Sequence, residues 1–115
     1  MDEIKTISIS DFKTHSGAFY PLIKLHYQKF GLEIGKAPIV LINHSLTGDS
    51  QLTGNDGWWN EIIGPNKTID TNRYTILGFN VPGNGILNQT ISKPEDFHTG
   101  DIASIFLEGL KILKI

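Results

Sequence analysis

Four histidines and several serines could act as base, nucleophile or metal ligand in this chain, and their spacing narrows the chemistry open to them. His44 and Ser45 are adjacent, and side chains one apart on an extended chain point to opposite faces, so they cannot pair there as base and nucleophile. None of Ser16, Ser50, Ser92 and Ser104 sits in the Gly-x-Ser-x-Gly elbow that exposes a nucleophilic serine. His15, His26, His44 and His98 show no ligand spacing of the His-Glu-x-x-His kind, so no metal is expected. Zero cysteines exclude a disulfide scaffold, a thiolate zinc site and a thiol nucleophile. Gly83-Asn84-Gly85 lacks the third glycine of a dinucleotide loop, and no helix opens directly on it. Of Trp58 and Trp59, one is expected in the core and one facing a site.

Asn43-His44-Ser45-Leu46-Thr47-Gly48 carries more. It follows the apolar run Ile39-Val40-Leu41-Ile42, and the end of a buried strand is where open α/β sheets bind ligands, because backbone amides are exposed there. In the α/β-hydrolase plan, the loop after such a strand supplies one oxyanion-hole N–H; the other follows a nucleophile further along. On spacing alone a plainer reading stands beside this one: His44 and Thr47 satisfy turn hydrogen bonds.

The elements that must position this loop follow from periodicity. Ile7 and Ile9, then Ile23, Leu25 and Tyr27, alternate with polar residues and predict two antiparallel, half-solvated strands. The unalternating 39–42 run predicts a strand buried on both faces. Asp56 could cap a short helix carrying Trp58, Trp59, Ile62 and Ile63, stopped by Gly64-Pro65. Residues 74–79 predict another strand, which Gly78 weakens, and a long polar loop from Pro82 to about Thr99 follows. Ile102, Ile105, Phe106, Gly109, Leu110 and Leu113 fall at helical spacing, with Thr99 or Asp101 as N-cap. The order of elements predicts a mixed, mostly parallel α/β sheet with flanking helices. A parallel partner strand should come after the last helix. Residues 1–115 are therefore expected to be the front portion of one larger domain, with an unpaired sheet edge and Ile105, Phe106 and Leu113 uncovered.

Composition bounds the partners. The apolar fraction is 39% over 115 residues, typical of a folded domain once glycine is added. Ten basic against 12 acidic residues leave a formal charge of -2, without the basic footprint of a nucleic-acid or anionic-membrane binder. The start, Met1-Asp2-Glu3-Ile4-Lys5, lacks the features of a signal peptide, and the longest strongly apolar run, 37–42, is far short of a membrane span. A cytoplasmic setting is expected.

Several short motifs in register resemble one family. His44-Ser45-Leu46-Thr47-Gly48-Asp49 is similar to the His-Ala-Leu-Thr-Gly-Asp of homoserine O-acetyltransferases, members of the α/β-hydrolase superfamily. Gly57-Trp58-Trp59, Ile63-Gly64-Pro65, Ile69-Asp70-Thr71-Asn72-Arg73-Tyr74 and Asn80-Val81 follow in the family's order. Leu25 to Gly31 resembles the strand that family writes as Leu-x-Tyr-x-Thr-Tyr-Gly. After Asn80-Val81 the family usually runs through glycines into Gly-Ser-x-Gly-Pro, and Pro82-Gly83-Asn84-Gly85-Ile86-Leu87-Asn88 departs from that.

The resemblance implies the N-terminal part of an acyltransferase working on acetyl-CoA and L-homoserine through an acyl-serine, in methionine biosynthesis. It implies that the Ser, Asp and His of the triad lie beyond Ile115, which would leave residues 1–115 inactive by themselves. It assigns the Leu46 backbone N–H to the oxyanion hole, with Ser45 and Thr47 shaping the loop. Acetyl-CoA would be a co-substrate, no cofactor would stay bound, and a homodimer is compatible. The alternatives are an esterase or hydrolase on the same fold, or a non-catalytic binding module.

Overall fold

A computed structural model describes residues 3–45, 47–91 and 93–115. Among the described residues, six strands, two 3-10 turns and one helix form two compact units. One unit holds residues 27–79 with the stretch before Thr6; the other holds Thr6–His26 and Asn80–Ile115. Strand β2 (Phe19–Gly31) has residues in both, and the sheet order is β1 (Lys5–Lys13), β2, β6 (Thr75–Phe79), β3 (Ile39–Ile42).

In the first unit β6 (Thr75–Phe79) is buried at every residue. It pairs antiparallel with β2 (Tyr27 opposite Phe79) and parallel with β3 (Ile39–Ile42), Val40 lying opposite Ile76. The strand expected to be buried on both faces, β3, is instead half-buried along its length, and among the described residues it pairs with one strand, β6. Both faces are covered at β6. Gly78 has a packing role: a Cβ there would stand 3.1 Å from the Leu52 side chain, which would have to shift by a few tenths of an ångström. Leu52 joins Phe30, Ile63 and Ile76 in the core, with Val40, Ile42, Ile62, Ile69 and Tyr74 packed around them. The helix expected after Asp56 is a single turn. Ile62 and Ile63 both donate to the Trp59 carbonyl at 3.0 Å, and then β4 (Ile63–Gly64) takes over, paired parallel with β5 (Ile69–Asp70). The Asn60 side chain bonds Gly54 and Gly57, holding the segment as a loop where helix propensity alone would continue it.

In the second unit β1 (Lys5–Lys13) and the start of β2 are joined by a tight connection, in which Thr14 donates to Ala18 at 2.9 Å. Alternation holds at Ile7 and Ile9, then slips by one residue to Phe12, where Asp11 adopts a left-handed φ of 55°. A strand that changes parity in this way carries a bulge. The half-solvated pattern expected of β2 holds at Ile23, Lys24 and Leu25 and fails at His26 and Gln28, both buried. His26 is accommodated by a 2.9 Å hydrogen bond between its Nδ1 and the Thr6 hydroxyl.

The N-cap of helix α1 (Thr99–Ile112) is neither of the expected Thr99 and Asp101 but His98. His98 Nδ1 accepts from Gly100 N–H at 2.9 Å, while Asp101 Oδ2 accepts from His98 N–H at 3.0 Å, a reciprocal capping box. Ile105 and Phe106, expected to be uncovered, are buried, and Leu113 is half-buried; the exposed large apolar residues of this helix are Leu107 and Ile112. Among the described residues no helix is long and apolar enough to cross a membrane.

Candidate functional site

The loop after β3 is held from below by a buried polar network that the sequence does not announce. Gln28, on β2, takes a 2.5 Å hydrogen bond from the Ser50 hydroxyl onto its Oε1 and donates from Nε2 to Gln51 Oε1 at 2.9 Å. Gln51 in turn donates to the Thr53 carbonyl at 2.7 Å, and its backbone N–H bonds the Asp49 carboxylate at 2.9 Å. Gln28, Ser50 and Gln51 are all buried. Amide groups so far from water are retained only when bonded, and here the bonds join the strand to the segment where the loop ends.

Within the loop, Gly48 N–H donates to the Ser45 carbonyl at 2.9 Å and His44 Nδ1–H to the same oxygen at 2.7 Å. A Cβ at Gly48 would lie 3.0 Å from His44 Cβ and 3.2 Å from Ser45 N, so any larger residue would push on the loop by a few tenths of an ångström. The His44 ring thus bonds the loop's own backbone at the Ser45 carbonyl. Ser45 and Thr47 are both exposed on the loop surface, while Leu46 lies outside the described residues. A strand end with exposed loop residues and a fixed backbone can present N–H groups to an oxyanion.

Trp58 and Trp59 flank this region differently from expectation. Their rings stack 5.5 Å apart at 14°, and both are exposed, by 41% and 37%, where one buried and one exposed residue was expected. Each ring covers a face of the other, so neither needs the core. Trp58 Nε1–H donates to the Asp49 carbonyl at 2.8 Å, tying the pair to the loop. A cleft of about 670 Å³ in the same unit is lined by Lys29, Thr53, Asn60 and Lys67 but by none of His44, Ser45 or Thr47. Its two lysines are engaged: Lys29 with Glu33 at 3.1 Å, Lys67 with the Asn60 carbonyl.

In the second unit the fold brings together His15, His98 and Asp101, which sequence spacing could not connect. His15 Nδ1 lies 2.7 Å from Asp101 Oδ1, 86 positions along the chain, and the His15 backbone N–H reaches the same oxygen at 2.9 Å. The two imidazoles stand 4.3 Å apart. Burial of Asp101 opposes its ionisation, but the hydrogen bonds from the His15 ring and from the His98 and His15 backbones outweigh it and hold the carboxyl at about 2, below the ordinary 3.8.

The chain was compared with protein families, curated proteins and solved structures. No family model matches it. It is 33% identical to a homoserine O-acetyltransferase of Haloarcula marismortui over 86% of this chain and 26% of that protein. Homoserine O-acetyltransferase from Staphylococcus aureus superposes with a TM-score of 0.76 at 27% identity, covering 98% of this chain and 36% of that one. Esterase E22 superposes with a TM-score of 0.81 at 25% identity, covering 100% and 38%. The chain thus spans about a quarter of the length of the curated relatives it matches first.

Proposed function

Because the chain belongs to the homoserine O-acetyltransferase family, on the α/β-hydrolase fold, we propose that it forms the N-terminal portion of a single domain that moves the acetyl group of acetyl-CoA to the hydroxyl of L-homoserine. The observation that carries this reading is the strand-end loop, His44 to Asp49, closed by the Gly48–Ser45 hydrogen bond and in register with the family's motif.

The chemistry follows from what such a loop can offer. A serine supplied outside residues 1–115 attacks the thioester carbonyl, and negative charge gathers on the carbonyl oxygen. On this reading the Leu46 N–H donates to that oxygen, while Ser45 and Thr47 shape the loop. Collapse of the tetrahedral species expels the CoA thiol and leaves an acyl-serine. The homoserine hydroxyl then attacks the ester and gives up its proton to the triad base, and the serine leaves as the O-acetyl product is released. Acetyl-CoA comes and goes as co-substrate, with no resident cofactor. Small molecules, not nucleic acid or membrane, are the partners, a homodimer fits the reading, and methionine biosynthesis in the cytoplasm is the setting.

A second reading, an esterase, is favoured by the likeness to esterase E22. It differs only in letting water take the acyl group. A protein of full family length containing this chain, assayed with acetyl-CoA with and without homoserine, separates the two: thiol release that depends on homoserine supports the transferase, and release indifferent to homoserine supports the hydrolase.

A further inference from the structure

His15, His98 and Asp101 form the described chain's one cluster of three potential metal donors. His15 comes from the connection between β1 and β2, and the other two from the start of α1. Asp101 is 1% exposed, yet both its oxygens face the imidazoles: Oδ1 lies 2.7 Å from His15 Nδ1 and Oδ2 lies 3.9 Å from His98 Nε2. One donor atom from each residue lies within 4.8 Å of the other two.

First-row divalent ions bind imidazole nitrogen and carboxylate oxygen at about 2.0 to 2.2 Å, so tetrahedral donors on one ion stand about 3.3 to 3.6 Å apart. The 2.7 Å Asp101–His15 pair opens to that distance and the 3.9 Å Asp101–His98 pair closes to it. The widest pair, within 4.8 Å, closes by about 1.2 to 1.5 Å. The two rings that would move are 61% and 55% exposed, so little packing opposes the adjustment.

We propose that His15, His98 and Asp101 bind a divalent transition-metal ion, with water completing the coordination. Two imidazoles and one carboxylate suit zinc, nickel or copper and not magnesium or calcium, which take oxygen donors. The carboxylate is already ionised near neutral pH, so it contributes charge without releasing a proton. Coordination through His15 Nδ1 moves that ring's proton to the exposed Nε2. Coordination through His98 Nε2 moves its proton to Nδ1, which exchanges the bond from Gly100 for the metal bond. The ion would clip the β1–β2 connection to the helix start and stabilise this unit. This site is separate from the acyl-transfer reading and stands or falls without it.

The test uses a protein of full family length containing this chain, stripped with a chelator and titrated with zinc chloride or, separately, magnesium chloride, followed by calorimetry and thermal melting. One zinc per chain, a raised Tm, no response to magnesium, and zinc affinity weakened about ten-fold or more by His15→Ala and by His98→Ala are the expected results. His15→Ala removes an exposed ring, so it reports even if an Asp101→Asn variant does not fold. Absence of saturable zinc binding by the folded chain, or binding equally tight in both histidine variants, overturns the site.

Discussion

The loop after β3 and the cluster at the start of α1 both concentrate polar groups at the end of an element, but they are assembled in opposite ways. The loop is one contiguous stretch held by its own backbone: Gly48 and His44 both donate to the Ser45 carbonyl, and Gly48 packs closely on His44 and Ser45. The cluster is built from side chains, with His15 and Asp101 meeting from 86 positions apart. A contiguous backbone device leaves a readable motif in the sequence. A long-range side-chain device leaves only isolated residues whose partners the fold must supply.

That contrast can be broken most sharply at Leu46. In a protein of full family length, Leu46→Pro deletes the backbone donor and should cost on the order of 3 kcal/mol of transition-state stabilisation, seen as a slower single-turnover acylation burst, whereas Leu46→Ala keeps the donor and should cost far less. Both variants are first checked for native circular dichroism. Equal bursts from folded Leu46→Pro and wild type would make the loop purely structural.

Beneath the loop, Gln28→Leu leaves buried Ser50 and Gln51 groups short of a partner and should lower stability by about 2 kcal/mol in urea unfolding. Trp58→Phe loses only the indole donor to the Asp49 carbonyl, and about 1 kcal/mol or less is expected in the same measurement. A larger loss at Trp58 than at Gln28 would mean that the aromatic pair, not the buried network, anchors the loop.

The cluster should show itself through acid. Asp101 has a folded pKa of about 2 against an ordinary 3.8, so the unfolded chain takes up its proton first as pH falls; the stabilisation is present above the ordinary value and disappears on the way down to about 2. His26 is pushed below its ordinary 6.5 by burial and by Lys24, so its contribution is likewise lost as pH falls, but from a higher starting point. Denaturation midpoints measured from neutral to acid pH should therefore fall in two stages, with Asp101→Asn flattening the lower one. An unchanged lower stage in that variant would remove Asp101 from the account.

Much of the fold was legible because burial periodicity is local: β3, β6 and the body of α1 fall where the apolar runs stand. The failures have a shared cause in tertiary partners. Gln28 reads as a solvent-facing position of an alternating strand until Ser50 and Gln51 close over it. His98 is not among the common N-caps, and it takes the role because Asp101 answers it across the first turn. The helix expected around Trp58 fails because Asn60 binds the loop's backbone more fully than a short helix would. Of the candidate site, the loop could be read from its motif, whereas the His15–Asp101 pairing has no signal in spacing at all.

The central claim, that this strand end serves acyl transfer to an alcohol, is tested most directly by intact mass measurement of a full-length family protein containing this chain. After acetyl-CoA alone, one acetyl adduct per chain should accumulate, and homoserine should discharge it while O-acetylhomoserine appears. No adduct, or an adduct that water removes as fast without homoserine as with it, would contradict the account.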